Sequence, residues 1–90
     1  MTKPPTLSQW HGTKPPEIRS LRSLNSAIPP LIYETVYWIA KTEDHVIIEY
    51  YPLGDWYFND AGQLVGEVDT GSSKKTVTIN PDDYVVLSVI

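Results

Sequence analysis

The chain contains no cysteine, and no apolar run in it approaches the length of a membrane-spanning helix. The missing cysteine excludes disulfides and fits a reducing compartment. A helical span needs about 20 apolar residues, and the opening MTKPPTLSQW lacks the apolar stretch of a secretory signal. These absences predict a cytoplasmic protein that acts in its own cell or in a host and does not engage a membrane.

Groups that commonly carry catalysis are scarce as well. The two histidines, His11 and His45, have no nucleophile nearby in the sequence, and there is no glycine-rich phosphate loop. Carboxylates in turns could hold a hard cation weakly at one end of a small domain, but solvated turn acids are the simpler interpretation. We therefore predict that the protein is not an enzyme and has no catalytic residue, metal site or cofactor. The turn acids in question are Asp55, Asp60, Asp82 and Asp83.

Charge divides the chain into two parts. Residues 1–30 hold four cations against one acid, a balance of +3, whereas residues 31–90 hold three lysines against ten acids, a balance of −7. The two parts are expected to attract each other, within one chain or between chains. An acidic body is a poor platform for nucleic acid, because phosphate contacts supply much of that affinity. We expect a protein partner rather than a nucleic acid.

Residues 1–30 form a proline-rich arm, with six of the eight prolines in three Pro-Pro pairs, each followed one residue later by an aliphatic residue. Such pairs favour extended polyproline II geometry, which suits a semi-rigid linker or a ligand for an aromatic groove. Between the second and third pairs, aliphatic residues recur at helical spacing from Ile18 to Ile28, and Pro16 fits a first helical turn. We expect a short helix near 16–26 that covers one end of the domain behind it.

From residue 31 the pattern changes to short strands separated by turn residues. Six strands in sixty residues predict a compact, acidic, mainly β domain over 31–90. The expected architecture is a small antiparallel meander or barrel of the SH3-like or OB-like kind, with five to six strands. The predicted strands cover 31–40, 45–51, 56–58, 64–68, 74–79 and 84–90.

Local chemistry allows finer predictions. In the first of these strands Ile32, Val36 and Trp38 share a face that is mostly apolar, so this face is expected to lie against the core. Gly54, after Pro52, is expected to supply a left-handed residue in a turn. Gly62 is expected to supply the positive φ of a hairpin built on a type I turn.

The segment Val68–Ser73 reads VDTGSS. It resembles the catalytic loop of pepsin-like and retroviral aspartic proteases, in which a hydrophobic residue precedes Asp-Thr-Gly. The resemblance covers at most residues 49–73 and implies a dimer in which two copies of Asp69 share a proton and activate water. The two lysines that follow depart from the apolar continuation of pepsin-like lobes. The same letters also suit a turn capped by the aspartate, with a positive φ at Gly71.

Aromatic residues are concentrated in the β region, where all but Trp10 lie between Tyr33 and Tyr84. This exceeds what a minimal core needs, so we expect some rings to face outwards and bind a partner. In the alternative interpretation these rings belong to the core and are covered by the arm.

Together these features predict a non-enzymatic protein-interaction module, an accessory, adaptor or inhibitory factor that docks on a larger protein. One alternative is a self-assembling protein, a homo-oligomer whose chains exchange their arms. A remote alternative is the aspartic-protease-like dimer that uses Asp69–Gly71. The residues expected to bind the partner are Trp10, Pro15, Pro16, Arg19, Arg22, Tyr37, Tyr50, Tyr51, Trp56 and Tyr57.

Overall fold

A computed structural model describes residues 3–7, 16–27, 29–30 and 32–89. Within these ranges the chain forms eight strands and one short helix. The expected small, mainly β, barrel-like fold is confirmed. The elements are β1 (Thr6–Leu7), β2 (Glu17–Ser20), α1 (Leu21–Asn25), β3 (Tyr33–Glu43), β4 (Val46–Pro52), β5 (Gly54–Phe58), β6 (Leu64–Asp69), β7 (Lys74–Ile79) and β8 (Tyr84–Val89).

The strands form two sheets that enclose one core. A curled five-stranded sheet has the order β1-β4-β3-β8-β2, and a three-stranded sheet has the order β5-β6-β7. Hairpins connect β3 to β4 and join β5, β6 and β7, whereas β8 returns to the first sheet and pairs with both β3 and β2. At one edge β1 runs parallel to β4. The two shortest strands, β1 and β2, therefore lie at opposite edges of the same sheet.

The core is built from aliphatic side chains of both sheets and of α1. Along β6 the residues alternate, with Leu64, Gly66 and Val68 buried and the residues between them turned outwards, as the two-residue period of a strand requires. Partly buried rings pack around this aliphatic centre. The buried members of the core are Leu21, Leu24, Val36, Leu53, Leu64, Val68, Val77, Ile79, Val85 and Leu87.

The sheets meet where β4 turns into β5. Leu53 is the only residue between these strands, it is 5% exposed, and its N–H donates to the carbonyl of Val36 over 2.8 Å. A Cβ on Gly66 would lie 2.6 Å from Leu53 Cγ and 2.9 Å from Trp56 Cβ. Only glycine at this position lets the β4–β5 corner approach β6 so closely.

The helix expected near 16–26 is shorter than predicted. Residues 17–20 form a strand paired with β8, and the helix begins at Leu21 and ends at Asn25. Ser20 caps it, because its Oγ accepts the N–H of Ser23 at 3.2 Å. Leu21 and Leu24 enter the core, so the chain from Glu17 onwards is continuous with the β domain rather than part of a separate arm that ends at residue 30.

Most of the finer predictions hold, and two are wrong in detail. Val36 faces the core and Trp38 packs against it, but Ile32 is 68% exposed, because the register with β8 shifts just after Tyr33. The left-handed residue at the β4–β5 corner is Asp55, with φ of 48°, and not Gly54. Gly62 has the predicted positive φ, at 77°.

Candidate protein-interaction site

Two of the aromatic residues predicted to bind a partner pack against the core instead. The Tyr51 ring stacks on Trp38 with centroids 6.4 Å apart, and the Trp56 ring lies 6.2 Å from that of Tyr33. All four rings contact the aliphatic centre. Their position agrees with the alternative interpretation, in which aromatic residues belong to the core.

Tyr37 and Tyr50 lie together on the outer face of the five-stranded sheet. Their rings meet edge to face, with centroids 5.5 Å apart. Pairing partners share a face of a sheet, and this criterion gives the part of the face around Tyr37 and Tyr50, in which Val86 is fully buried. Its members are Ile18, Ser20, Thr35, Tyr37, Ile39, Tyr50, Pro52, Tyr84, Val86 and Ser88. None of these side chains is charged, whereas charged residues pair further along β3 and β4, where Glu43 stands opposite Val46.

The predicted arm residues bind to their own chain where the structure describes them. Trp10 and Pro15 lie outside the described residues, and Pro16 is half-buried just before β2. Arg19 Nε donates to Glu17 Oε2 at 3.1 Å, and Arg22 Nη2 lies 3.1 Å from Asp82 Oδ1. The second pair is the expected attraction between the basic and acidic parts, made within one chain. Arg22 and Asp82 are mostly exposed, so their pairing contributes less than about 1 kcal/mol.

The last predicted aromatic residue, Tyr57, forms the centre of a surface that we call the β5 patch. Its side chain is 58% exposed on the outer face of the three-stranded sheet, and Val65 stands opposite it on β6. Phe58, 37% exposed, follows on β5 with its ring edge-to-face on Trp56, at 5.9 Å. Phe58 pairs with buried Leu64, so its ring belongs to the inner face and is exposed only at the end of β5. We define the β5 patch as Tyr57 and Val65, the exposed edge of Phe58, and the carboxylates of Asp55, Asp60 and Glu67 on the same strands and their connecting loop.

The carboxylates of the β5 patch are exposed and form no ion pair within 4.0 Å with a described residue. Glu67 follows Val65 on the outer face of β6, Asp55 lies within β5, and Asp60 follows the end of β5. Among the described residues, the ion pairs within 4.0 Å are those of Arg19 and Arg22. Lys74 lines the same hollow as Asp55 and Glu67 without forming an ion pair within 4.0 Å. The patch therefore combines an apolar centre with an excess of negative charge.

A second surface, which we call the arm groove, lies beside the described N-terminal segment. It is an open hollow of about 380 Å³ whose lining includes Trp38, Ile39, Tyr84 and Pro5. Tyr84 also lines a second hollow together with Pro4. Pro5 is half-buried and Pro4 is exposed.

The Asp-Thr-Gly segment is the turn between β6 and β7. The carboxylate of Asp69 accepts the N–H of Gly71 at 2.9 Å, and Gly71 has φ of 90°. The N–H of Thr70 closes the turn on the carbonyl of Ser73 at 3.0 Å. The capped turn that the sequence also allowed is therefore present, and it gives each of these residues a structural role.

Within the ranges that the structure describes, no three His, Asp or Glu side chains are close enough to hold a metal ion together. No helix there is long and apolar enough to cross a bilayer. Comparisons with protein-family models, curated proteins and solved structures find no match for this chain.

Sequence reasoning found Tyr57 but missed its neighbours in the β5 patch. The available signal was the alternation in LVGEVD, which turns Val65 and Glu67 to the face opposite Leu64, Gly66 and Val68. Tyr84, which lines the arm groove and the second hollow, was missed as well. It lies at the first position of a strand, and only the pairing of β8 with β2 and β3 brings it to the middle of a sheet.

Proposed function

We propose that this protein is a non-enzymatic interaction module that docks on a larger protein through the β5 patch. The observation that carries this proposal is the 58% exposure of Tyr57 on the outer face of the three-stranded sheet, on a strand pair that also carries exposed carboxylates. Exposed aromatic residues with apolar neighbours are typical centres of protein interfaces. The cytoplasmic location inferred from the sequence stays a prediction.

The chemistry of the β5 patch selects a partner surface that is apolar at its centre and basic at its rim. Tyr57, Phe58 and Val65 offer apolar area that loses water on contact, and Asp55, Asp60 and Glu67 attract lysine or arginine. The charges at the rim raise the association rate more than they raise the affinity, so the association rate constant should fall as the salt concentration rises.

The shape of β5 restricts how a partner can add to it. In the described part of the chain β5 is an edge strand, paired with β6 alone. Its register shifts between Gly54 and Tyr57, where Asp55 has a left-handed backbone. Bulges of this kind hinder the addition of a long strand at a sheet edge. We therefore propose recognition through the side chains of the outer face rather than extended strand pairing.

The test is affinity capture from the source cell with three immobilised baits. They are the wild-type chain, Tyr57→Ser, and the matched control Ile48→Ser, which removes a side chain of comparable exposure, 42%, from the other sheet. We expect a protein that wild type and Ile48→Ser retain, that Tyr57→Ser retains at least tenfold less, and that about 0.5 M NaCl elutes. Circular dichroism confirms that all three baits are folded.

If the same proteins bind all three baits equally, the β5 patch is not the docking site. If Ile48→Ser loses the partner and Tyr57→Ser keeps it, the docking surface lies on the five-stranded sheet.

A further inference from the structure

We infer that the edge strand β7 pairs antiparallel with β7 of a second copy of this chain, so that two three-stranded sheets join into one continuous sheet. β7 and the strand that carries Tyr57 lie at opposite edges of their sheet, because the strand order is β5-β6-β7. The inference therefore uses a different surface from the β5 patch, and either proposal can fail without the other.

Among the described strands, β7 is the longest and most regular sheet edge. It has six residues and pairs with β6 alone, without a register shift. The other three edges are β1 with two residues, β2 with four, and β5, whose register is broken next to the left-handed Asp55. Short or bulged edge strands resist the addition of another strand. Of the four edges, β7 thus offers a new strand the longest unbroken row of backbone groups.

The side chains of β7 suit a strand with a neighbour on each side. Val77 and Ile79 are buried, whereas Thr76 and Thr78 are exposed on the outer face. All four are β-branched, the class of residue that favours strands. Threonine tolerates exposure in a single chain, and it forms favourable cross-strand pairs with threonine when a second strand is added.

Charge at the two ends of β7 favours an antiparallel second copy as the occupant. The strand begins with Lys74 and Lys75 and leads into a turn that contains Asp82 and Asp83. Lys75 Nζ lies 4.6 Å from the centroid of the Trp38 ring, whereas Lys74 forms no ion pair within 4.0 Å with a described residue. Asp82 is 87% exposed even within its own ion pair.

These charges are complementary between two copies in one orientation only. Parallel self-pairing would set lysine beside lysine, which is destabilising. Antiparallel pairing instead brings the lysines of each copy to the end of β7 where the other copy carries its acidic turn. Each copy uses its β7 edge once, so the assembly closes at two chains.

The two-residue period of the strands restricts the register of this pair. Directly opposed residues lie on the same face of a sheet, so inward Val77 has to stand opposite an inward residue of the second copy. We assign the register that sets Val77 opposite Val77. It places Thr76 of each copy opposite Thr78 of the other and Lys74 opposite Asn80, and no lysine stands opposite a lysine.

The primary test uses the absence of cysteine from the natural chain. The single variants Thr76→Cys and Thr78→Cys, one of them carrying a tag that separates the products by mass, are mixed and oxidised. Opposed residues of an antiparallel pair have Cβ atoms about 4.5–5.5 Å apart, close enough for a disulfide after a small adjustment. We expect the two variants to cross-link to each other at least tenfold faster than either cross-links to itself.

The matched control is Ser72→Cys, which places an exposed thiol in the turn just before β7. Mixed with either variant, it gives the rate of random collision. A Thr76→Cys and Thr78→Cys mixture that cross-links no faster than this control, or no faster than each variant alone, overturns the inference.

A second measurement needs no cysteine. Changing Thr76→Lys and Thr78→Lys together sets lysine opposite lysine across the seam, and the matched control changes both to valine, which keeps the β-branched shape. One added strand makes a small interface, so sedimentation equilibrium is extended to about 1 mM chain. We expect wild type and the valine control to approach twice the monomer mass, and the lysine variant to associate at least tenfold more weakly.

Circular dichroism confirms that these variants are folded, and Tyr57→Ser, which removes the centre of the β5 patch, should associate like wild type. A lysine variant that associates as wild type does overturns the inference. Wild type that stays monomeric at the highest concentration also overturns it, and a strand from another protein is then the remaining occupant of the β7 edge.

Discussion

At the scale of single residues, Gly66 shows how this small domain closes its core. It lies in the middle of β6, where glycine is unfavourable for backbone entropy and contributes no side chain. Glycine is required at this position because Leu53 and Trp56 occupy the space into which a Cβ would point. Both neighbours belong to the corner between the sheets and to the core around it, so any larger side chain has to push the sheets apart.

We predict that Gly66→Ala destabilises the protein by about 1–3 kcal/mol, the usual cost of an overpacked core. For a domain of this size that lowers Tm by roughly 4–8 °C per kcal/mol, measurable by thermal melting followed by circular dichroism. The matched control is Gly54→Ala on the neighbouring strand, where a Cβ would lie an ordinary 3.6 Å from the nearest atom, the carbonyl oxygen of Glu67, and φ is not left-handed. The control should melt at or slightly above the wild-type temperature. Equal melting of the two variants would contradict this account.

At the scale of secondary-structure elements, β2 and α1 work as one unit that closes an end of the barrel. β2 pairs with β8, and α1 follows without a loop. The N–H groups of Leu21 and Arg22 donate to the carbonyls of Asp83 and Pro81 at 2.8 Å each, which holds the helix against the β7–β8 turn. A helix of five residues cannot persist on its propensity alone, so its stability comes from these bonds and from buried leucines.

We predict that Leu21→Ala costs about 2–5 kcal/mol, the range for removing a fully buried leucine. The neighbouring Arg22→Ala, which removes an exposed ion pair, should cost less than about 1 kcal/mol. Urea unfolding of both variants measures the two free energies, and a slope m that stays at the wild-type value shows that the same surface unfolds. A Leu21→Ala variant as stable as Arg22→Ala would mean that the helix is not part of the cooperative unit.

The elements from residue 32 onwards could be predicted from the sequence because their signals are local. Alternating residues and turn chemistry lie within a few positions of each other, and Gly62 and Gly71 have the backbone that their turns require. β2 could not be found in this way. Its four residues EIRS have no strand pattern, and Ile18 fits the helical spacing of Leu21 and Leu24 as well as it fits a strand. What makes it a strand is pairing with β8, more than sixty residues away.

The candidate site was predictable to a smaller extent. Composition indicated surplus aromatic residues, but only the fold separates Tyr51 and Trp56, which complete the core, from Tyr57, which faces solvent. All three lie within a few residues of one another, on either side of the corner at Leu53. At that corner the chain passes from one sheet to the other, so the simple alternation of faces along the sequence is interrupted there.

At the scale of the whole molecule, the compact unit begins near Glu17. The described residues before this point contribute less to the sheet and the core than those that follow it. Residues 3–7 add a two-residue strand that pairs with β4 and leave Leu7 half-buried, whereas the stretch from Glu17 to Leu24 supplies a longer strand and two core side chains. The first is a short segment attached at a sheet edge, and the second is part of the core.

We therefore predict different outcomes for two truncations. Removing residues 1–7 should cost about 1–3 kcal/mol, the sum of a two-residue strand pairing and partial burial of one leucine, and should leave a cooperative thermal transition. Removing residues 1–20 takes away β2 and the Ser20 cap and uncovers the edge of β8, where Val85, Val86 and Leu87 are fully buried in the intact chain. A domain this small buries only about 60% of the surface that its unfolded chain exposes, so its stability is marginal. Loss of β2 should therefore unfold it, and we expect no cooperative transition by calorimetry. If the variant that lacks residues 1–20 still shows a cooperative transition, the folded unit begins with the strands that follow residue 30.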